Sequence, residues 1–439
     1  MPRIAFMGAG STVFAKNVLG DCIYTPEIGP LELALHDIDP VRLEESRMMI
    51  DNIVANSGRR DIDVISTLDR RESLKGANYV VNAIQVGLYD PCTITDFEVP
   101  KRYGLRQTIG DSHGIGGIFR GLRTIPVLRD FADDMEELCP NAQFLNYTNP
   151  MAILAGYMNR FTNIKTIGLC HSVQACARTL LTDVGMTEYI DRCKWEISGI
   201  NHMAWLTKIT DLEGNDLYPE IKRRAKLDET YETRKHDLVR LDIMDRFGYY
   251  ITESSEHNAE YNCWYIKSKY PELIERYNIP LDEYPRRCIE QINNWQKMKE
   301  DLVHNKQLVH ERTWEFASYI IRAMETDQAY RVHGNVINNG LIPNLPAEAC
   351  VEVPCLIDRN GVNPCYVGNL PEQCAAIDRM QINVHLLTIL AAVTRKREYI
   401  YMAAMMDPHA SSELSPDEIR ALCDDLIEEH GHWLPKYDG

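Results

Sequence analysis

The side chains able to do chemistry gather in three short segments, each directly after an apolar run: Asn146-Tyr147-Thr148-Asn149-Pro150, Gly168-Leu169-Cys170-His171-Ser172-Val173 and Gly199-Ile200-Asn201-His202-Met203. A thiolate and an imidazole together suit a divalent metal and leave coordination positions open for a substrate, which makes Cys170 and His202 candidate metal ligands. Either residue type alone is more often a satisfied core side chain, so the metal reading requires a fold that brings the segments together. Residues 108–123 form a further polar stretch, with Asp111, His113, Gly114, Gly116, Gly117, Arg120 and Arg123. Glycines let such a loop close on a ligand and Asp111 could tune a neighbouring proton carrier, although a solvated loop has the same composition. Residues 252–261 are equally dense in titratable groups (Glu253, Glu256, His257, Glu260, Tyr261), and a polar helix start capped by Thr or Ser would look alike.

At the amino-terminal end, Gly8-Ala9-Gly10-Ser11-Thr12 follows an apolar run and precedes a helical one, the setting in which a glycine-rich match carries weight. Gly8 permits a tight turn, and Gly10 lets the backbone approach a pyrophosphate at the start of the next helix, where Ser11 and Thr12 lie. The third glycine of the usual fingerprint is absent. Asp37 ends the second apolar run, placed to accept hydrogen bonds from an adenosine ribose; a carboxylate there disfavours a 2′-phosphate and predicts NAD rather than NADP. Its distance along the chain from the turn exceeds the usual ~20 residues. Asn82 and Gln85, near the end of a later run, are candidates for the nicotinamide side.

These residues need a scaffold that holds them at strand ends. Apolar runs at residues 3–7, 31–36, 63–66, 79–85, 142–146 and 165–169 alternate with helix-like stretches such as 13–21 and 41–57. Repeated strand–helix–strand units predict an α/β fold with a parallel, Rossmann-type sheet covered by helices on both faces. Beyond about residue 170 the rhythm changes: residues 206–218 read as a hairpin turning at Glu213-Gly214-Asn215, and amphipathic runs at 377–395 and 416–429 make the remainder mixed but mainly helical. The expected division is an NAD-binding domain, residues 1–195, and a substrate, metal and oligomerisation domain, residues 196–439. The cleft should lie over the carboxyl ends of the strands.

Composition narrows the class. A chain of 439 residues suits two intimately packed domains, and 45% apolar with 25% charged residues is ordinary for a globular protein. A formal net charge of −17 repels nucleic acid and anionic membranes, so neither is expected as a partner. No run approaches the ~18 consecutive apolar residues of a membrane span, and the amino terminus lacks a signal-peptide pattern. The expected address is cytoplasmic, with most of the 13 cysteines reduced and buried.

The segments FMGAGSTVFAKNVLGD, DFEVPKRYGLRQTIGD, NYTNPMA, GLCHSV, INHMAW, TESSEHNAEY and AAMMDPH, spread over essentially the whole chain, resemble glycoside hydrolase family 4. The tetrapeptide Cys170-His171-Ser172-Val173 is similar to the form carried by the family's bacterial α-galactosidases. The resemblance implies NAD and Mn²⁺ as cofactors, an α-galactoside of the melibiose or raffinose type as substrate, and a homodimer or homotetramer. The implied chemistry stands outside the usual two-carboxylate scheme: transient oxidation at C3 of the sugar, deprotonation at C2 and elimination at C1, after which water adds and the oxidation is reversed. Carried over by position, Cys170 and His202 are metal ligands, Asn149 contacts substrate, Asp111 raises the basicity of the group that takes the C2 proton, and His171 stands where a general acid sits. For the base the region offers Tyr261, Glu256 and Glu253; Tyr261 is preferred because it gives Asp111 a purpose. Arg286 or Arg287 could hold the C6 group of a uronide, so α-glucoside or α-galacturonide specificity within the family stays open. Without the resemblance, the residues read as a hydroxy-acid dehydrogenase of the lactate or malate type.

Overall fold

The structure, a computed structural model, describes residues 1–438. Six strands from the first half of the chain form a parallel array: β1 (Arg3–Met7), β2 (Leu31–His36), β3 (Ile62–Thr67), β4 (Tyr79–Asn82), β5 (Gln143–Asn146) and β6 (Lys165–Gly168). Their spatial order, β3-β2-β1-β4-β5-β6, is the doubly wound Rossmann arrangement. Alternation along the strands explains why both faces are apolar. Ile4 and Phe6 join one core cluster with Tyr79, Val81 and Leu145, whereas Ala5 and Met7 join another with Val80 and Phe144. Helices Thr12–Ile23 and Pro40–Asn56 bury their apolar stripes in the first cluster, and Gly114–Leu138 and Met151–Phe161 contribute to the second.

The expected elements of this half hold to within a residue or two, except that the fourth strand, expected over 79–85, ends at Asn82 and leaves Gln85 in the segment beyond it. Register aligns Met7 with Asn82, Asn82 with Asn146, and Asn146 with Gly168. The glycine turn and the segments after Asn82, Asn146 and Gly168 therefore leave the sheet side by side, at the carboxyl edge where open α/β sheets bind ligands.

Past β6, strands β7 (Cys193–Ser198), β8 (Trp205–Asp211) and β9 (Tyr250–Ile251) form a second, antiparallel sheet. The hairpin expected over 206–218 shrinks to a turn closed by one bridge between Thr210 and Asp216, and β8 pairs with β7 and β9 instead. Pro219 lies in the first turn of helix Tyr218–Arg224, a position proline favours and one from which it could not serve a strand ladder. The second half is mixed and mainly helical as expected, with more strand than its pattern announces. Strands β10 (Tyr330–Ile337), β11 (Cys350–Asp358) and β12 (Gly361–Pro364) extend the main sheet to nine strands, β10 lying antiparallel to β6. An apolar pattern does not announce β10, because His333 and Asn335 are buried in it and Gly334 leaves room for Ile167, whose Cδ1 would lie 2.4 Å from an added Cβ.

Helix Glu372–Thr394 has the length and apolarity of a membrane span. It packs instead against Gly114–Leu138, Met151–Phe161 and Arg397–Met406, and buries Asp378, Gln381 and His385. Each of those polar groups finds a partner inside the protein: Trp205 Nε1 donates to Asp378, Gln381 Nε2 donates to the Tyr261 carbonyl, and His385 meets His113. That is the pattern of a core helix, and two of the three bonds reach the site described next. All 13 cysteines are free thiols.

Candidate active site

The glycine turn is built by close approach. Gly8 has φ +88°, and a Cβ there would lie 2.9 Å from the Ala83 carbonyl carbon just past β4. The Gly10 amide donates to Asp37 Oδ2 at 2.7 Å, while Asp37 Oδ1 accepts from the Asp39 amide at 2.9 Å. Asp37 thus ties the end of β2 to the turn and keeps lone pairs on both oxygens for further donors. Ser11 stands exposed at the start of helix Thr12–Ile23 with its hydroxyl uncommitted to capping, whereas Thr12 is buried and accepts from Ser46 at 3.0 Å. Asn82 donates to Asn146 Oδ1 at 2.8 Å and Thr148 Oγ1 at 3.2 Å. Its own Oδ1 and Gln85 Nε2 are buried with no partner among the described residues. An orphaned acceptor and donor at the end of β4 and just past it, together with a helix amino terminus and the free lone pairs of Asp37, fit a nicotinamide dinucleotide.

The metal candidates meet through the second sheet. Antiparallel pairing of Trp205 with Ile251 sets the residues before β8 opposite those after β9, and reciprocal bonds between Ala204 and Thr252 continue the match. His202 and Glu253 are thereby brought face to face, with His202 Nε2 3.5 Å from Glu253 Oε2. Both hold left-handed backbone, φ +64° and +67°, which side chains of this kind adopt at a cost. Cys170, just past β6, completes one trio with His202 and Glu253, and Asp111, His202 and His257 form another; within each the ligand atoms lie within 4.8 Å of one another. Burial alone would lower the His202 imidazole, but the Glu253 carboxylate and Cys170 beside it raise it to about 10. Glu352, fully buried on β11 behind this group, is pushed far up by burial and then by Cys170. Carboxylates this close to an imidazole and a thiol, with His202 and Glu253 on left-handed backbone, fit a divalent cation.

Against this cluster lies the Asp111 loop. A Cβ at Gly116 would sit 2.2 Å from the Gly110 carbonyl oxygen and one at Gly117 2.6 Å from Ser112, so these glycines admit the loop onto the start of helix Gly114–Leu138. Glu260 clamps the loop's other side, accepting from the amides of Thr108 at 2.7 Å, Ile109 at 3.2 Å and Gly110 at 2.8 Å. Asp111 accepts from Ser112 Oγ at 2.7 Å and Asn149 Nδ2 at 3.1 Å. Burial works against its charge, but Arg120, His257 and His202 hold it below the ordinary carboxylate value. Tyr261 is fully buried with its hydroxyl 3.1 Å from His202 Nδ1. Burial, then Asp111, Glu260 and Glu253, raise this phenol well above its usual value. His113 donates through Nε2 to the Asn201 carbonyl at 3.1 Å, which fixes its Nδ1 as the acceptor for His385 Nε2 at 2.9 Å and steadies the backbone next to His202.

The sequence model described as Family 4 glycosyl hydrolase matches residues 3–186, and the one described as its C-terminal domain matches residues 197–410. The chain belongs to family 4 of the glycosyl hydrolases. It is 59% identical over 437 residues to an alpha-galactosidase of Bacillus subtilis, covering all of both chains. It is 33% identical over 452 residues to an alpha-galactosidase of Rhizobium meliloti, covering 99% of this chain and 89% of that one. Among solved structures, a 6-phospho-alpha-glucosidase from gut microorganisms, in complex with NAD and Mn²⁺, shares the fold with a TM-score of 0.80 at 20% identity over the full length of both chains.

Within this family 4 chain the expected site residues fall into two groups. Gly8, Gly10, Ser11, Thr12, Asp37, Asn82 and Gln85 gather at the turn, and Cys170, His202, Asp111, Asn149 and Tyr261 gather around the metal trio. His171 binds Glu315 through Nε2 at 2.9 Å, stacks on Phe316 with ring centroids 5.0 Å apart, and is 48% exposed, so its contacts lie beside the cluster rather than in it. Glu256 and Arg286 are not brought in. The Glu256 carboxylate is paired with Arg287 at 2.6 Å, and Arg286 is 62% exposed and bound to Glu283 and Glu290. Glu253 stood among the possible bases and here faces the metal trio instead. His257, Glu260, Glu352 and His385 were missed as parts of the site; density of titratable groups flagged the first two, and nothing local flags the others.

Proposed function

We propose that this protein is an α-galactosidase that works with NAD and a divalent cation, Mn²⁺ by preference. The observation that carries the reading is the convergence, at one sheet edge, of the dinucleotide turn with the Cys170–His202–Glu253 trio around Tyr261, in a chain 59% identical to an alpha-galactosidase. When bound, NAD supplies a hydride acceptor for C3 of the sugar, and the cation supplies a Lewis acid for the oxygens beside it. Cys170, His202 and Glu253 would hold the cation, with Tyr261 and the Asn201 segment orienting the His202 ring. The Gly8–Thr12 turn and Asp37 would hold the dinucleotide.

The protein's own groups move the protons. Tyr261 takes the C2 proton as the phenolate, after its own proton has left to solvent, and Asp111 beside it increases the affinity of that oxygen for a proton. His171, whose Nε2 donates to Glu315, has Nδ1 free of partners among the described residues, and as the imidazolium it gives the Nδ1 proton to the departing C1 oxygen. Asn149, fixed to Asp111, donates to the sugar. The remaining assignments are of one piece with this reading: residues 1–195 as the nucleotide-binding part, residues 196–439 as the substrate part, a homodimer or homotetramer, and a cytoplasmic address.

Release of nitrophenol from an aryl α-galactoside, with and without NAD⁺ and Mn²⁺, tests the reading, with the α-glucoside and α-galacturonide as controls. Galactoside cleavage that needs both additions and accumulates no NADH is the expected result. Net NADH without cleavage would replace it with a hydroxy-acid dehydrogenase.

A further inference from the structure

Three arginines are buried in the described structure, and two have carboxylate partners: Arg123 binds Asp96 and Arg240 binds Asp237. Arg120 is the exception. It is 8% exposed on helix Gly114–Leu138, and among the described residues no carboxylate lies within ion-pair distance of its guanidinium. Its hydrogen bonding amounts to one long bond from Nη1 to Tyr284 Oη, 3.5 Å. Its guanidinium carbon lies 5.8 Å from the Tyr284 ring centroid, the Tyr284 amide donates to the Thr108 carbonyl of the Asp111 loop at 3.0 Å, and Arg120 is the leading charge that favours ionisation of Asp111. Yet the oxygens of Asp111 are taken by the Ser112 hydroxyl and the Asn149 amide. A guanidinium has five N–H donors in a rigid fork, and no Arg120 nitrogen is both fully enclosed and unpartnered, so the donors that Tyr284 leaves free remain open to a ligand or water.

The geometry points to Arg120 as a specificity-determining residue whose fork donates to hydroxyl oxygens of the bound glycone. Through Tyr284, Arg120 is linked to the loop whose Asp111 carboxylate accepts from Asn149 Nδ2, and its charge favours ionisation of that same carboxylate. A planar fork spans a pair of vicinal oxygens, which a galactosyl ring offers and a water molecule does not. The inference rests on the α-galactosidase reading, and it adds a contact that the dinucleotide turn and the metal trio do not supply.

The test uses holoenzyme loaded with NAD and Mn²⁺, and the variants Arg120→Met and Arg120→Lys. Loss of a charged donor to substrate should raise KM for the aryl α-galactoside by about 10- to 100-fold, with kcat much less changed and NAD affinity unchanged. Arg120→Lys should recover little, because a single ammonium cannot replace the fork. A KM within twofold of wild type in either folded variant overturns the contact. So does a fall in kcat at constant KM, which would mean that Arg120 acts only through Asp111. Should Arg120→Met fail to fold, Arg120→Lys carries the test alone. If wild type leaves the galactoside intact, the fault lies in the functional reading, and calorimetric affinity for galactose tests the contact by itself: tenfold weaker binding to the variant supports it, equal binding overturns it.

Discussion

Tyr261→Phe removes one oxygen from a fully buried side chain and leaves its volume and ring stacking in place, so it isolates what the hydroxyl does. Two effects follow from the geometry. The first is loss of the group assigned to take the C2 proton; removing a positioned general base costs about 10²- to 10⁴-fold in rate. The second is loss of the 3.1 Å bond to His202 Nδ1, and removing the partner that orients a metal-binding imidazole costs about 10- to 100-fold in metal affinity. Raising Mn²⁺ repairs the second effect and leaves the first, so kcat should be measured across a Mn²⁺ titration with NAD saturating. At the plateau, kcat for the aryl α-galactoside should remain at least about 100-fold below wild type. Deuterium uptake at C2 of the released sugar in D₂O should fall with it. A phenol raised this far by burial and by Asp111 is a strong base once ionised, so nothing else nearby is expected to substitute. Recovery of kcat and of C2 exchange to within threefold of wild type at high Mn²⁺ would refute the assignment and leave Tyr261 as an orienting residue for His202 alone.

Cys170→Ser replaces a soft thiolate with a weak hydroxyl ligand; cation affinity should fall by at least about 100-fold and activity with it, while NAD still quenches protein fluorescence at wild-type concentrations. Retained turnover at low Mn²⁺ would remove Cys170 from the ligand set. Asp37→Ala deletes the acceptor for the Gly10 amide and the ribose-facing carboxylate together, and should weaken NAD by roughly 10- to 100-fold; an unchanged dissociation constant would show that Asp37 only braces the turn. Asp407 is pushed up to about 7 by burial, against its capping bonds from Ala410 and His409. Because the folded value exceeds the ordinary one, its contribution to stability is full below about pH 4 and is lost as pH rises through about 7, on the order of 4 kcal/mol at most. Asp407→Asn keeps a capping oxygen, so melting temperature should fall less steeply over that window; an identical pH slope would mean that Asp407 is not charged against its surroundings.

How much of this was legible depends on where each property is encoded. Strands β1, β2, β4, β5 and β6 are largely apolar runs that end at or just before glycine, asparagine or aspartate, and burial on both faces makes such runs readable without any alternation; edge strand β3 is readable from its β-branched residues instead. Their order then follows from the connections, which is why the turn, the Asn149 segment and Cys170 could be expected together. Strand β10 carries buried His333 and Asn335 and a glycine at its crossing with β6, so it resembles neither an apolar strand nor an amphipathic one. Its place is set by Asn335, which donates to the Gly168 carbonyl at 3.3 Å and to Glu352 Oε1 at 3.2 Å, partners far away in the chain.

The same limit separates Glu253 from Glu256. Composition cannot rank two glutamates three residues apart in one polar stretch; the backbone does. Glu253 precedes helix Ser255–Tyr261 in left-handed conformation and continues the β8–β9 pairing, so it meets His202, whereas Glu256 lies in the first turn of the helix and meets Arg287. Arg286 and Arg287 divide in the same way on helix Glu283–Leu302, one tied to Glu283 and Glu290 and the other also reaching Glu256. Residue type says which side chains can do chemistry, and register says which ones meet. Tyr261 joins both levels: its side chain reaches His202, and its carbonyl is held by Gln381 from the long apolar helix at 2.9 Å. A helix whose composition suits a bilayer is thereby committed to the interior, because three buried polar side chains along it have partners only in this site and its supporting strands.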